Sequence, residues 1–263
     1  MAKTTKQPVL QRSISIYTFI GALQSAFCFF VLPIICKPLW PTIFDRFSPQ
    51  IAEVLIWAMA APYFLLYALL VALPPYLLEW DFFEQYKIST NTWPWKDKRD
   101  NIRKDFWKLT YKSICLDFVN IFIFFPCCVY AKTILFPNRN LSFSIDDWPT
   151  YWELGRDVLT FAITHEFGFY WAHRIIHAIP SLYKYHKVHH EYKHNDVLAS
   201  QHFHPVDFFL SIATPVILST IIIKPHSFTW LQAGLWIFTA NLDDHLAYAF
   251  PWSSGLFAHY IYR

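Results

Sequence analysis

Apolar runs long enough to cross a bilayer recur through most of this chain, and no other feature restricts its fold as tightly. A hydrocarbon layer ~30 Å thick takes about 20 helical residues. Backbone inside lipid must bond internally, so runs of this kind are helices. Candidates lie at 14–35, 51–73 and 113–135, with a fourth within 157–177 that turns polar at its end. Two shorter runs follow at 208–223 and 230–241, joined by a turn through Pro225 and His226. Being short, they read either as tilted spans or as a hairpin with one interfacial member, which predicts four to six crossings. The expected fold class is therefore all-α, a polytopic helical membrane protein. Residues 1–135 form an N-terminal part of membrane helices and a basic loop, and residues 136–263 carry the histidine-rich remainder.

Of 263 residues 55% are hydrophobic and 20% aromatic, and only 16% are charged, which excludes a disordered chain. A net charge of +3 is too small to argue for nucleic acid. The basic residues cluster instead in the loop 79–112 (Lys87, Lys96, Lys98, Arg99, Arg103, Lys104, Lys108, Lys112) and at the N-terminus (Lys3, Lys6, Arg12). Positive residues favour the cytoplasmic side. Two crossings separate the clusters, so both fall there, loop 137–156 falls on the other side, and the fourth crossing returns the chain to the cytoplasm at His173. The first apolar run exceeds the core of a cleavable leader and reads as a retained signal anchor. Trp93 to Arg99 reads as an interfacial aromatic and basic segment. Cys28, Cys36, Cys115, Cys127 and Cys128 show no Cys-x-x-Cys spacing and read as small buried hydrophobes. The five glycines form no phosphate-binding loop, so no nicotinamide or flavin site is expected by that route.

All 12 histidines lie at or beyond residue 165, and nine fall between His165 and His204. His173-Arg-Ile-Ile-His177 is an i, i+4 pair, which on a helix sets both imidazoles on one face. His186-Lys-Val-His189-His190 repeats that arrangement and adds adjacent rings that diverge enough to serve different metals. Five histidines on two helical faces without a metal would bury several polar rings that need partners. Imidazole suits zinc, iron, copper and nickel alike. The number of candidates exceeds the roughly four ligands of one tetrahedral zinc and points to two metals.

The run from His165 through His173 and His177, the stretch Leu182-Tyr-Lys-Tyr-His-Lys-Val-His-His-Glu191, the segment His204-Pro-Val-Asp207 and Asp243-Asp-His245-Leu-Ala-Tyr-Ala-Phe-Pro-Trp252 together resemble the fatty acid hydroxylase and sterol desaturase superfamily, the last being similar to its sterol-oxidising branches. The likeness spans residues 157–252. It implies a non-haem di-iron oxygenase that hydroxylates or desaturates a lipid, a sterol first and a fatty acyl chain next. Carried over position by position, His173, His177, His186, His189 and His190 are implied iron ligands. His245 joins them, and His204 is implied as ligand or as a partner of one. Glu166, Glu191, Asp207 and Asp244 are acids placed to accept the second ring N–H of a ligand. His165, His194 and His202 match no ligand position and read as polar interfacial residues, and His226 lies in the turn on the opposite side. The resemblance also implies the endoplasmic reticulum membrane, and electrons delivered by cytochrome b5 and its reductase.

One family motif, a third H-x-x-H-H box, does not occur before Arg263, and His259 is a lone substitute. The expectation is a chain truncated ahead of that box. The alternative is a non-catalytic membrane subunit that keeps the fold. A metal transporter is disfavoured, because 14–35 and 51–73 contain no His, Asp, Lys or Arg and hold Glu53 only at an edge.

Overall fold

The computed structural model describes residues 14–78, 80–88 and 92–250. Lys3, Lys6, Arg12, Glu79, Trp252 and His259 fall outside the described residues. The helices that build the molecule are α1 (14–44), α2 (Pro49–Leu78), α3 (Asp100–Leu135), α4 (Tyr151–Ala178), α5 (Pro180–His186), α6 (Pro205–Ile223) and α7 (Ser227–His245). Four of these, α1 from Ala22 onward, α2, α3 and α6, are long and apolar enough to cross a membrane. The chain is an all-helical, polytopic membrane protein. Helices α4 and α7 match the length but are interrupted by polar residues.

Successive long helices run in opposite directions, and tertiary contacts identify the two ends. At one end the Trp40 indole of α1 donates to Ser227 Oγ of α7, and Leu141 N donates to Glu53 Oε2 of α2. At the other, Tyr76 of α2 donates to the Leu246 carbonyl, and Lys112 of α3 holds Glu191 beside the second histidine box. Between the ends, Trp57 of α2 stacks on Trp230 of α7 with centroids 4.5 Å apart. Helices α4 and α6 approach closely at Gly168, where an added Cβ would lie 3.2 Å from Pro215 Cβ. Small residues permit such approach, which matters in lipid because apolar surface gains little by leaving an apolar solvent.

All four apolar spans contain a π-helical turn: Phe27–Val31, Ala68–Ala72, Phe118–Phe124 and Phe208–Ala213. Every one of these turns ends two residues ahead of a proline, respectively Pro33, Pro74, Pro126 and Pro215. Proline brings no N–H to the carbonyl four residues back and its ring crowds that carbonyl. Widening the preceding turn relieves the crowding and passes the carbonyl to a later N–H, as backbone in lipid requires.

Several features differ from the sequence reading. The basic loop expected at 79–112 is half helix, because α3 begins at Asp100. Its 36 residues give about 54 Å at 1.5 Å per residue, well beyond a ~30 Å hydrocarbon layer, so its basic first turns project past the lipid. Trp93 is no surface anchor. It is buried, stacked on Trp95 with centroids 4.8 Å apart and packed against Tyr76. Glu53 is fully buried in an ion pair with Lys132. Cys28, Cys115 and Cys127 are exposed rather than buried. In a membrane the outside is apolar too, which is why Phe30, Leu70 and Ile222 also face outward and why hydrophobicity stops marking the interior.

Candidate metal centre

The first histidine pair stands near the end of α4. Thr150 and Glu153 start that helix with a reciprocal capping box, and no Pro interrupts the 28 residues up to Ala178. His173 and His177 stand one turn apart with their Nε2 atoms 2.9 Å from each other. Ile179 is extended, as a residue before proline prefers, and Pro180 opens α5. The turn folds α5 back so that His186 faces the pair, its ring centroid 4.7 Å from His173 and 4.6 Å from His177. One ligand nitrogen from each of these three residues lies within 4.8 Å of the others.

The second box is not the single helical face that its spacing predicts. Helix α5 stops at His186, and His189–Glu191 forms a separate 3-10 turn. His190 still returns to the group, with Nε2 3.1 Å from His186 Nε2 and its ring 5.4 Å from His177. His189 turns the other way. Its ring stacks on Phe203 at 4.6 Å and lies 5.8 Å from His245 at the end of α7. The imidazoles thus form a group of four, His173, His177, His186 and His190, and a neighbouring pair, His189 and His245. His186 and His189 join the two, their centroids 5.7 Å apart. The cluster is closed by protein on one side and open on the other, where His177 and His190 are exposed.

Orientation comes from acceptors around the rings. Asp207, at the start of α6 and buried, accepts the His186 Nδ1–H at 2.9 Å and the Ser211 hydroxyl at 2.8 Å. With Nδ1 protonated, the lone pair of His186 sits on Nε2, which faces the other rings. Burial pushes the imidazole of His189 down to about 3 and that of His245 to about 4, so both are neutral at ordinary pH and keep a lone pair for a metal. His190 is lowered as well, first by burial and then by its histidine neighbours.

Other sequence-selected residues do different work. His204 lies outside the convergence: its Nδ1 accepts from Val206 N at the start of α6, and its ring lies over Tyr185. His202 is fully buried rather than interfacial, held 2.7 Å from Ser113 Oγ of α3 and 3.3 Å from Glu191. Glu191 takes no ligand histidine and joins Lys112 to His202 instead. His165 is buried within α4 between Phe161 and Phe169, near Glu166. Asp244 contributes its backbone carbonyl, which accepts from Asn195 Nδ2. His226 caps α7 at the far end of the bundle, as its place in the turn suggests. Spacing missed Asn195 and Ser113, because both act through contacts to residues far along the chain.

The donor set fits iron. Imidazole nitrogen suits that metal, and ligands of a tetrahedral or octahedral ion with bonds near 2.1 Å stand roughly 3–3.5 Å apart, close to the Nε2 separations found. Six converging imidazoles in two groups exceed what one tetrahedral ion takes.

Residues 158–262 match the fatty acid hydroxylase family model. Over 145 residues the chain is 33% identical to methylsterol monooxygenase 2-1 of Arabidopsis thaliana, covering 51% of each chain. It is 29% identical over 163 residues to a cholesterol 25-hydroxylase-like protein of Caenorhabditis briggsae, covering 59% of this chain and 52% of that one. Over 103 residues it is 40% identical to the very-long-chain aldehyde decarbonylase GL1-11 of Oryza sativa subsp. indica, covering 38% and 37%. The chain spans about half the length of the first of these relatives, and no solved structure gives a significant match. The matched region contains the histidine group, the His189 and His245 pair and the Asp207 that orients His186, and it is over these residues that the chain is similar to the fatty acid hydroxylase family.

Proposed function

We propose that this chain is a membrane-bound, non-haem di-iron oxygenase that hydroxylates or desaturates a lipid, a sterol in the first place and a fatty acyl chain in the second. The observation that carries the reading is the convergence of four Nε2 atoms beside a second histidine pair, with Asp207 fixing the tautomer of the central ring. Iron at such a site supplies the activation of molecular oxygen and the oxidising power that an unactivated C–H bond demands. The ligands in this reading are His173, His177, His186, His189, His190 and His245. Their own task would be to hold the ions through ring nitrogens and leave one side of the cluster open, where His177 and His190 are exposed. Asp207 keeps the proton on His186 Nδ1 and carries a negative charge that offsets the cation.

The membrane helices would give a lipid substrate access to the cluster from the bilayer. Sterol is preferred because the stretch Asp243 to Trp252 resembles sterol-oxidising branches of the family and because methylsterol monooxygenase and cholesterol 25-hydroxylase-like proteins are among the matches. The basic first turns of α3 stand at the same end of the bundle as the histidines, joined through Lys112 and Glu191. This supports placing that end on the cytoplasmic side of the endoplasmic reticulum membrane, where cytochrome b5 and its reductase would deliver electrons to a basic docking face.

The experiment is purification in detergent, measurement of iron per chain, and a search for oxygen-dependent product from methylsterols, cholesterol and fatty acyl lipids with a b5 donor system. Two irons per chain and an oxygenated sterol are expected. A protein that retains no metal after anaerobic loading with ferrous iron refutes the reading.

A further inference from the structure

His189 carries a buried Nδ1 with no hydrogen-bond partner. A buried ring nitrogen without a partner costs free energy unless something completes it. Beside it opens a cavity of about 280 Å3, whose lining includes His189, His190, His194, His245, Asn195 and Lys193. Among the described residues four imidazoles therefore border one polar cavity, those of His189, His194 and His245 together with His190, through which it adjoins the group of four.

Asn195 is fastened in this cavity wall by two bonds to the end of α7. Its Nδ2–H donates to the Asp244 carbonyl at 2.9 Å, and its Oδ1 accepts from His245 Nδ1 at 3.1 Å. The two bonds assign the amide consistently, since the nitrogen meets a carbonyl and the oxygen meets a ring N–H. A proton held on His245 Nδ1 leaves the Nε2 lone pair free to bind metal. Asn195 thus does for His245 what Asp207 does for His186, with a neutral amide in place of a carboxylate. The backbone after His190 brings His194 to the same wall, directly before Asn195.

We propose that this cavity is the second half of the metal centre, with His194 as a further ligand beside His189 and His245, and with Asn195 as the positioning residue that fixes His245. The inference rests on the di-iron reading above and extends it to two residues that no ligand motif marks. Neutral orientation by Asn195 and anionic orientation by Asp207 make the halves unequal, the His194 half offering the less basic ligands and the weaker binding.

The test uses the full chain in detergent, freed of metal and titrated anaerobically with cobalt(II), reading stoichiometry by elemental analysis and coordination by visible absorption. Wild type is expected to bind two equivalents of unequal affinity. His194→Ala is expected to lose the weaker one. Asn195→Ala should weaken that equivalent by about 10–100-fold, the usual effect of removing a partner of a ligating histidine. Asn195→Asp should restore it, because its carboxylate still accepts the His245 proton. Retention of the tighter equivalent in each variant shows that the protein has folded. Two equivalents of unchanged affinity and spectrum in both His194→Ala and Asn195→Ala overturn this inference and leave the di-iron reading standing. A wild type that binds no cobalt overturns both.

Discussion

Removing the Asp207 carboxylate tests how far the first half of the centre depends on a residue that touches no metal. The carboxylate is almost wholly buried and holds two donors, the His186 Nδ1–H and the Ser211 hydroxyl, at 2.9 and 2.8 Å. In Asp207→Ala the imidazole, itself 1% exposed, loses its acceptor and cannot turn to water. An orphaned buried donor costs about 1–3 kcal/mol, so the metal-free protein should be less stable by that amount. The ring is also freed to move its proton to Nε2, the atom required for ligation, and a lost partner of a ligand costs about 10–100-fold in affinity. That range corresponds to ~1.4–2.8 kcal/mol. Asp207→Asn keeps an oxygen for the Nδ1–H and loses only the charge, so it belongs at the low end and Asp207→Ala at the high end. The assay is anaerobic competition for cobalt(II) against a chelator of known affinity, with thermal unfolding of the metal-free proteins alongside. Wild-type affinity in Asp207→Ala, together with an unshifted unfolding midpoint, refutes the orienting role.

Three further outcomes follow from contacts elsewhere in the bundle. Lys132→Met leaves Glu53 buried and unpaired, a loss of about 3–5 kcal/mol; denaturant unfolding in detergent should recover most of it in the double variant with Glu53→Leu, and equal stability of the single and double variants argues against the pairing. Gly168→Leu sets a Cβ 3.2 Å from Pro215 Cβ with the rest of the side chain beyond it, which pushes α4 from α6 at a cost of about 1–3 kcal/mol, and because α6 also carries Asp207, bound cobalt should weaken with stability. Burial lowers His226 to about 4, against the carbonyl of Ser144 and the charge of Asp147, which raise it. A folded value below the unfolded value of about 6.5 means that its stabilisation is complete above pH 6.5 and declines as pH falls from there toward 4. The thermal midpoint of wild type should therefore drop between pH 7 and pH 5 by more than that of His226→Asn, which can still cap α7; identical profiles would count against this.

Much of the centre was legible because histidine boxes are local. His173 and His177 are four residues apart on one helix, and one helical turn brings such rings together whatever the rest of the chain does, whereas His190 reaches His186 through a separate 3-10 turn. The run of membrane-length segments was legible for the same reason, since length and apolarity are properties of each segment alone. Boundaries were less so. Apolarity ends where the lipid ends, whereas hydrogen bonding lets α3 start at Asp100, well outside it.

By itself, then, the sequence determined an all-helical membrane protein with two histidine boxes at one end and four to six spans, because each of those facts depends on neighbours within a few turns. Only the tertiary structure decided which histidines share a site. His204 and His245 both sit in family-like motifs, yet one caps α6 while the other faces His189. His202, which no motif marks, is locked between Ser113 and Glu191. Asn195 meets a ring 50 residues away. The physical reason is that these partners are set by how α3, α6 and α7 pack beside α4, and that packing depends on close approach at points such as Gly168 and on prolines that reshape each span, which spacing along the chain does not encode.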